Sequence, residues 1–419
     1  MEAAKGEVAQ QVGGSGLKLL LAFPQLPQDP ASGAARSTRT IAEMLANSDF
    51  DVRVVATTAT ELAQRFPTTP FLAGLGIAAH LHPGTRSRPR PELSFEHRHV
   101  HYRLLDVGPR DMHSWQKIHN RQFDRMFDDE LHSFRPDLLL CYGGLPVDAA
   151  RYERARRQGV RLVFALHNAG YLSHAEFFRV FDAILTPSRY LSGEYLAALG
   201  IQSTPLPIPI ELEDVVAEER DPIFTAVINP SLEKGLMFVA RLAEEISLQR
   251  PDLAMLFIES RGSAGRLVQA GLAAGFDLRR HENLMFSPSV SRPRDIYAAT
   301  RVLLVPSLWN EPAGRVAAEA LLNGIPPLVS NRGGLAEICN GAGFVLPIPD
   351  AITPRDTRPV DPPVVQPWID LIARLEDDEE FYLRQSELAH QAGLIYDPNQ
   401  LTPRYAGFFQ SVANAGREE

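Results

Sequence analysis

Glu311 and Glu319 lie eight positions apart, with Pro312, Ala313, Gly314 and Arg315 between them. A small, glycine-containing turn that opens a helix points unpaired backbone N–H groups outward, and the helix dipole favours an anion there. The spacing predicts a loop-to-helix junction at Ala313-Gly314, with Glu311 at its mouth. Glu319 is then expected about two turns in, roughly 12 Å along the axis from Glu311. Carboxylates accept hydrogen bonds from hydroxyls. The layout therefore suits a ligand with hydroxyls at both ends and phosphate between them, and a nucleotide-sugar is such a ligand.

Further residues fit the same chemistry. Lys234, in Glu233-Lys234-Gly235, follows an apolar run at 224–228, where a cation can neutralise a diphosphate leaving group. Asn229 can donate a hydrogen bond nearby, and Arg261 and Arg315 are two more cations within reach of a phosphate. Gly33, in the loop 29–36, is a small residue ahead of a helix that lets backbone N–H groups approach an anion. The pattern G-x-G-x-x-G is missing there, which counts against a dehydrogenase. His167 follows an apolar run at 161–165. His97, His99 and His101 alternate on a predicted strand at 99–107 and its approach, and would share one face. No carboxylate or cysteine completes a metal set with them, and no Asp-x-Asp pair falls in a strand-end loop, so no metal and no cofactor is expected.

These residues need elements to hold them. Strands are predicted at 18–23, 51–56, 99–107, 137–142, 161–165, 183–186 and 203–208. Helices fall between them at 34–47, 60–66, 118–134, 147–158 and 188–199. A second series begins at 224–228, with strands at 254–259, 284–286, 302–305 and 327–330 and a helix at 236–249. Segment 351–366 carries four prolines and is expected to be irregular. Helices follow at 368–375, 378–392 and 402–415. This alternation predicts an α/β chain of two doubly wound parallel sheets facing each other across a cleft. The expected divisions are a disordered tail at 1–16, a first domain at 17–212, a second at 213–400, and a terminal helix at 401–419.

Length and composition agree. A chain of 419 residues with 45% hydrophobic and 22% charged side chains reads as two soluble domains. Cys141 and Cys339, far apart in apolar contexts, fit buried thiols in a reducing compartment. No run of eighteen apolar residues is present, and the N-terminus lacks an apolar leader. Residues 1–210 hold 23 basic and 21 acidic side chains; the remainder hold 19 and 30. The anion site thus lies in the acidic half, and phosphates there must be held locally by loops and dipoles. No nucleic-acid partner is expected. Arg151, Arg154, Arg156, Arg157 and Arg161 of the first half are expected to line a helix face, solvated or set against an acidic acceptor or a membrane surface.

The segment from Glu311 through Glu319, Gly324-Ile325-Pro326 and Gly333-Gly334 closely resembles the donor-binding signature of retaining glycosyltransferases of the GT-B fold, family 4. The resemblance extends over nearly the whole chain. It implies that Glu311 contacts the donor sugar, that Glu319 holds the nucleotide ribose, and that Lys234 meets the diphosphate. It places His167 near the anomeric carbon and the loop after Phe286 near the nucleobase, making Phe286 a stacking candidate. Family members carry an arginine about five residues before the lysine; here Ile228-Asn229-Pro230 occupies that stretch. The implied activity is metal-independent transfer of a hexose from a UDP- or GDP-sugar to a glycan, lipid-linked or small-molecule acceptor. The missing arginine raises an alternative, a catalytically weak relative that binds nucleotide-sugars as partner of another transferase. A cytoplasmic protein, with a peripheral membrane contact through the first domain, is the implied setting.

Overall fold

Leu19, Leu20 and Leu21 are fully buried in succession, as a strand covered on both faces requires. They form the middle of β1 (Leu17–Ala22), at the centre of a nine-stranded sheet. A computed structural model describes residues 16–61, 66–108, 112–143, 146–290 and 292–415. The expected tail at 1–16 falls almost wholly outside them. The first sheet also contains β2 (Phe50–Thr57), β3 (His80–His82), β4 (Glu92–His97), β5 (Val100–Leu105), β6 (Leu138–Cys141), β7 (Arg161–Ala165), β8 (Ala183–Thr186) and the two-residue β9 (Thr204–Pro205). Its order is β3-β4-β5-β2-β1-β6-β7-β8-β9. All neighbours run parallel except β3 with β4 and β4 with β5.

The second sheet, β10 (Phe224–Ile228), β11 (Met255–Ile258), β12 (Leu284–Ser287), β13 (Thr300–Val305), β14 (Pro327–Ser330) and β15 (Phe344–Leu346), has the order β12-β11-β10-β13-β14-β15 and is wholly parallel. Chain order reverses beside β1 in one sheet and beside β10 in the other. Ligands of such sheets bind at these switch points, beyond the carboxyl ends of the strands. The two sets of strand ends share one cleft, because residues following β1, β2 and β7 line it together with residues following β10, β11 and β13.

Several expectations require correction. The antiparallel pair β4–β5 closes through Arg98 (φ 49°) and His99 (φ 62°), a two-residue hairpin turn with both central residues left-handed. His99 therefore sits in a turn, His97 ends one strand and His101 lies in the next, so the three do not share a strand face. The short helix expected at 60–66 is not found in its described part; Thr68–Gly74 is the helix there, and 62–65 lie outside the described residues. The irregular segment ends early. Pro362–Asp377 is one helix, its first turn opened by proline, where the missing N–H costs nothing.

The arginine-rich helix Pro146–Arg157 does not offer its cations outward as a block. Arg151 reaches Asp148 and Asp124, and Arg154 reaches Asp124 and Asp128 of helix Met112–Phe134. Arg161 lies in β7 and pairs with Asp182. Most of that charge ties elements together and is not available as a face.

Helix Pro398–Asn414 lies against the first domain. Leu401, Tyr405 and Phe409 are buried in that domain's core, Phe409 meets the Phe50 ring edge-on at 6.4 Å, and Tyr405 Oη donates to the Pro207 carbonyl at 3.0 Å.

Candidate functional site

The loop after β13 is shaped by glycines packed beneath it. Gly333 has φ 61°, and a Cβ there would lie 2.3 Å from the Glu311 carbonyl oxygen and 2.4 Å from its nitrogen. Gly334 N donates to the Glu311 carbonyl at 2.7 Å. The Gly333-Gly334 turn thus presses backbone against backbone and fixes where Glu311 stands. Gly314 (φ 101°) caps helix Arg315–Leu322 in the left-handed region, with Leu335 filling the space a Cβ would need. The helix starts only at Arg315. Glu311 is outside it and Glu319 is little more than one turn in, about 6 Å past Arg315, not two turns.

Glu311 is 4% exposed, and its Oε1 accepts from Ser307 Oγ at 2.6 Å and from Lys234 Nζ. Burial pushes this carboxyl up, but the Lys234 ammonium and the Ser307 hydroxyl together offset it and hold the group below its ordinary range. Lys234 comes from the loop after β10. Gly235 (φ 83°), where a Cβ would meet the Pro306 carbonyl at 2.4 Å, lets the two loops close on each other. The ammonium also sits 5.7 Å from the centre of the Trp309 ring.

Glu319 is 2% exposed and fully engaged. Its Oε1 takes Arg315 Nε at 2.8 Å and an Arg36 guanidinium nitrogen at 3.1 Å; its Oε2 takes Tyr297 Oη at 2.7 Å. Arg315 continues to Ser37 Oγ at 2.9 Å and to Glu211. Glu211 is buried, and it is bound as well by Arg36 at 2.7 Å and by Thr40. Burial would raise the Glu211 carboxyl; Arg315, Arg36 and Arg39 instead hold it far below the carboxylate range. This cluster joins the first domain's helix Gly33–Ala46, the connecting segment and the second domain.

The opposite wall carries His167, whose Nε2 lies 3.1 Å from Thr38 Oγ1 and whose ring meets Tyr142 edge-on at 5.5 Å. Burial lowers its pKa to about 4, so the ring is neutral at physiological pH. Asp29 is completely buried, and burial pushes its pKa up to about 6 against the Glu61 and Ala31 N–H groups, which bind its oxygens at 2.6 and 3.0 Å. Glu61 accepts from Ser32 Oγ at 2.9 Å and faces Arg261 across the cleft at 3.5 Å.

The cleft encloses a cavity of about 350 Å³. Gly33 and His167 line it from one domain; Asn229, Lys234, Arg261, Glu311, Ala313, Gly314, Arg315 and Glu319 line it from the other. Phe286 does not. It stacks on Phe257 at 5.3 Å, while Ser289 and Val290 farther along its loop reach the cavity. Asn229, at φ 61°, spends its Oδ1 on the Gly262 N–H at 2.6 Å and so shapes the turn that carries Arg261; only its amide nitrogen can donate to a ligand. Sequence reasoning missed Glu61, Arg36, Ser307 and Tyr297. Glu61 follows the end of β2, and a polar residue at that position in a parallel sheet is the signal that was there to read.

Two parallel-sheet domains with facing strand ends, and a glutamate pair flanking a helix N-terminus, define a GT-B glycosyltransferase. The chain belongs to the group 1 glycosyltransferases: the model of that family matches residues 209–391, and that of the glycosyl transferase 4-like domain matches 32–209. The catalytic domain of starch synthase IV from Arabidopsis thaliana, solved with ADP and acarbose, superposes with a TM-score of 0.66 at 12% identity, covering 96% of this chain and all of that one. Sucrose-phosphate synthase from Thermosynechococcus elongatus gives 0.67 at 16% identity over 95% and 100%. HepE of Anabaena, solved with UDP and glucose, gives 0.64 at 16% over 94% and 99%. Spore coat protein SA of Bacillus subtilis (strain 168) is 30% identical over 112 residues, which span 25% of this chain and only 29% of that protein. Among the described residues, no helix is long and apolar enough to cross a membrane.

Proposed function

We propose that the protein transfers a hexose from a nucleoside-diphosphate donor, UDP- or GDP-linked, to a sugar or lipid-linked acceptor, with retention at the anomeric carbon and without a metal. The observation that carries this reading is the buried Glu311–Lys234 pair beside the helix opened at Gly314. Each partner is held where its own half of the donor would come. The diphosphate takes the Lys234 ammonium and the N–H groups of the junction; the sugar hydroxyls take Glu311. As the phosphate leaves, its growing charge is met by groups already oriented, so little reorganisation is needed. Neutral His167 positions the sugar from the opposite wall, and Arg261 adds charge where the family's usual arginine is missing. The ribose would exchange places with Arg36 on Glu319. HepE was solved with UDP-glucose, which supports a donor of this class here. The setting that goes with this reading is cytoplasmic, with a lipid-linked acceptor presented at the membrane surface.

A second reading, a weakly active relative that binds nucleotide-sugars beside another transferase, is favoured by Ile228-Asn229-Pro230 standing where family members carry an arginine. Incubating the purified protein with UDP-glucose, GDP-mannose and related donors separates the two. Release of nucleoside diphosphate supports the enzyme; saturable binding without turnover supports the partner; neither outcome sinks both.

A further inference from the structure

A second cavity, of about 600 Å³, opens beside the first. The two meet at Pro30, Arg36 and Pro293, at the Glu319 end of the cleft, away from Glu311. Five arginines line it. Three are matched: Arg36 and Arg39 by Glu211, and Arg98 by Glu43 and Glu213. Arg292 and Arg294, on the second domain's wall, have no carboxylate at ion-pair distance among the described residues. Gln28 supplies an independent sign. It is 3% exposed, it lines this cavity, and neither its Oε1 nor its Nε2 has a hydrogen-bond partner among the described residues. A buried carboxamide with neither atom satisfied is costly unless something occupies the space in front of it. Phe71, Leu75 and Ile77 form an apolar strip on the remaining side.

We infer that this cavity binds a small phosphate monoester, distinct from the sugar donor, with Arg292 and Arg294 on its phosphate and Gln28 on a hydroxyl. Planar guanidiniums suit phosphate oxygens bidentately, Gln28 offers both a donor and an acceptor, and the apolar strip takes the carbon skeleton. A bare anion would use the arginines and leave both the carboxamide and the strip idle.

The test is isothermal titration of the full chain with glycerol 3-phosphate, inorganic phosphate and glycerol, each with and without saturating UDP. Expected is one site that prefers the ester over inorganic phosphate, ignores glycerol and persists with UDP bound. Arg292→Ser/Arg294→Ser should weaken the ester at least about tenfold, the loss of two charge-assisted hydrogen bonds, and weaken UDP far less. Both arginines are without acidic partners, so the variant should fold, and an unchanged melting curve verifies that. Gln28→Leu should weaken the ester more than inorganic phosphate. Absence of binding at millimolar ester, equal affinity for inorganic phosphate, displacement by UDP, or an unaffected double variant would each overturn the assignment. Failure of UDP itself to bind would count against the proposed function and leave the ester titration to stand by itself.

Discussion

Replacing Lys234 by methionine should harm this protein in a way that depends on pH with an unusual sign. The Lys234 side chain is 21% exposed, while the Glu311 side chain it faces is 5% exposed. Removing one member of a buried ion pair leaves the other charge uncompensated, at about 3–5 kcal/mol; the partial exposure of Lys234 lets water help, so about 3 kcal/mol is expected. In the native protein the Glu311 carboxyl is held below its ordinary range. Its stabilising contribution is therefore present above the unfolded carboxylate pKa and is lost as pH falls through the folded value. In Lys234→Met burial, the largest influence on this carboxyl, is opposed by the Ser307 hydrogen bond without the ammonium, so the folded pKa rises above the unfolded one. The variant should then gain stability, relative to the native protein, as pH drops from about 7 to about 5. Adding Glu311→Gln should recover much of the loss, since the amide needs no counter-ion. Urea midpoints of the three proteins at both pH values make the measurement. A loss below about 0.5 kcal/mol, the ordinary scatter of surface substitutions, or a double variant no better than Lys234→Met, would refute the reasoning.

Glu311→Gln should lower kcat and kcat/KM together while nucleoside diphosphate affinity by calorimetry changes little; full activity would remove Glu311 from the sugar site. Glu319→Gln should weaken UDP or GDP by about 1.5–3 kcal/mol, the value of hydrogen bonds to a charged group, and calorimetry on the same variant shows whether that loss occurs. Gly333→Ala should lower both melting temperature and turnover, because a Cβ at 2.3 Å from the Glu311 carbonyl displaces the backbone that aims the carboxylate. His167, with its pKa near 4, should contribute stability that is full above the unfolded histidine pKa and lost as pH falls toward the folded value. His167→Asn should flatten the stability profile over that interval, and a profile identical to the native one would contradict a ring held neutral in the folded protein.

The parallel strands were readable because burial on both faces writes itself as unbroken apolar runs, as in Leu19–Leu20–Leu21 and Leu138–Leu139–Leu140. The motif around Glu311 was readable because its glycines are required at short range by Glu311's own backbone. The hairpin closed by Arg98 and His99 was not, since neither residue is the glycine or asparagine that usually marks such a turn, although Val100, Tyr102 and Leu104 alternate with polar neighbours in the strand that follows. Phe286 was misplaced because an aromatic near a strand end carries no sign of which way it packs. Arg36, Glu211 and Tyr297 were invisible for another reason. Their meaning lies in partners up to 283 positions away, Arg36 with Glu319 among them, and single-sequence periodicity contains no information at that separation.

The helix Pro398–Asn414 has a consequence for how the molecule is made. Leu401, Tyr405 and Phe409 belong to the core of a domain whose sheet is otherwise complete at Pro205. During synthesis the ribosome must add nearly two hundred further residues before those side chains emerge, roughly 10 to 40 s at typical elongation rates. Over that interval the first sheet exists with an apolar strip beside Phe50 uncovered, while the second domain, whose segments are contiguous, can fold behind it. The nascent chain thus exposes one defined apolar surface until its last helix is made, and a stall late in translation would leave the second domain finished and the first unfinished.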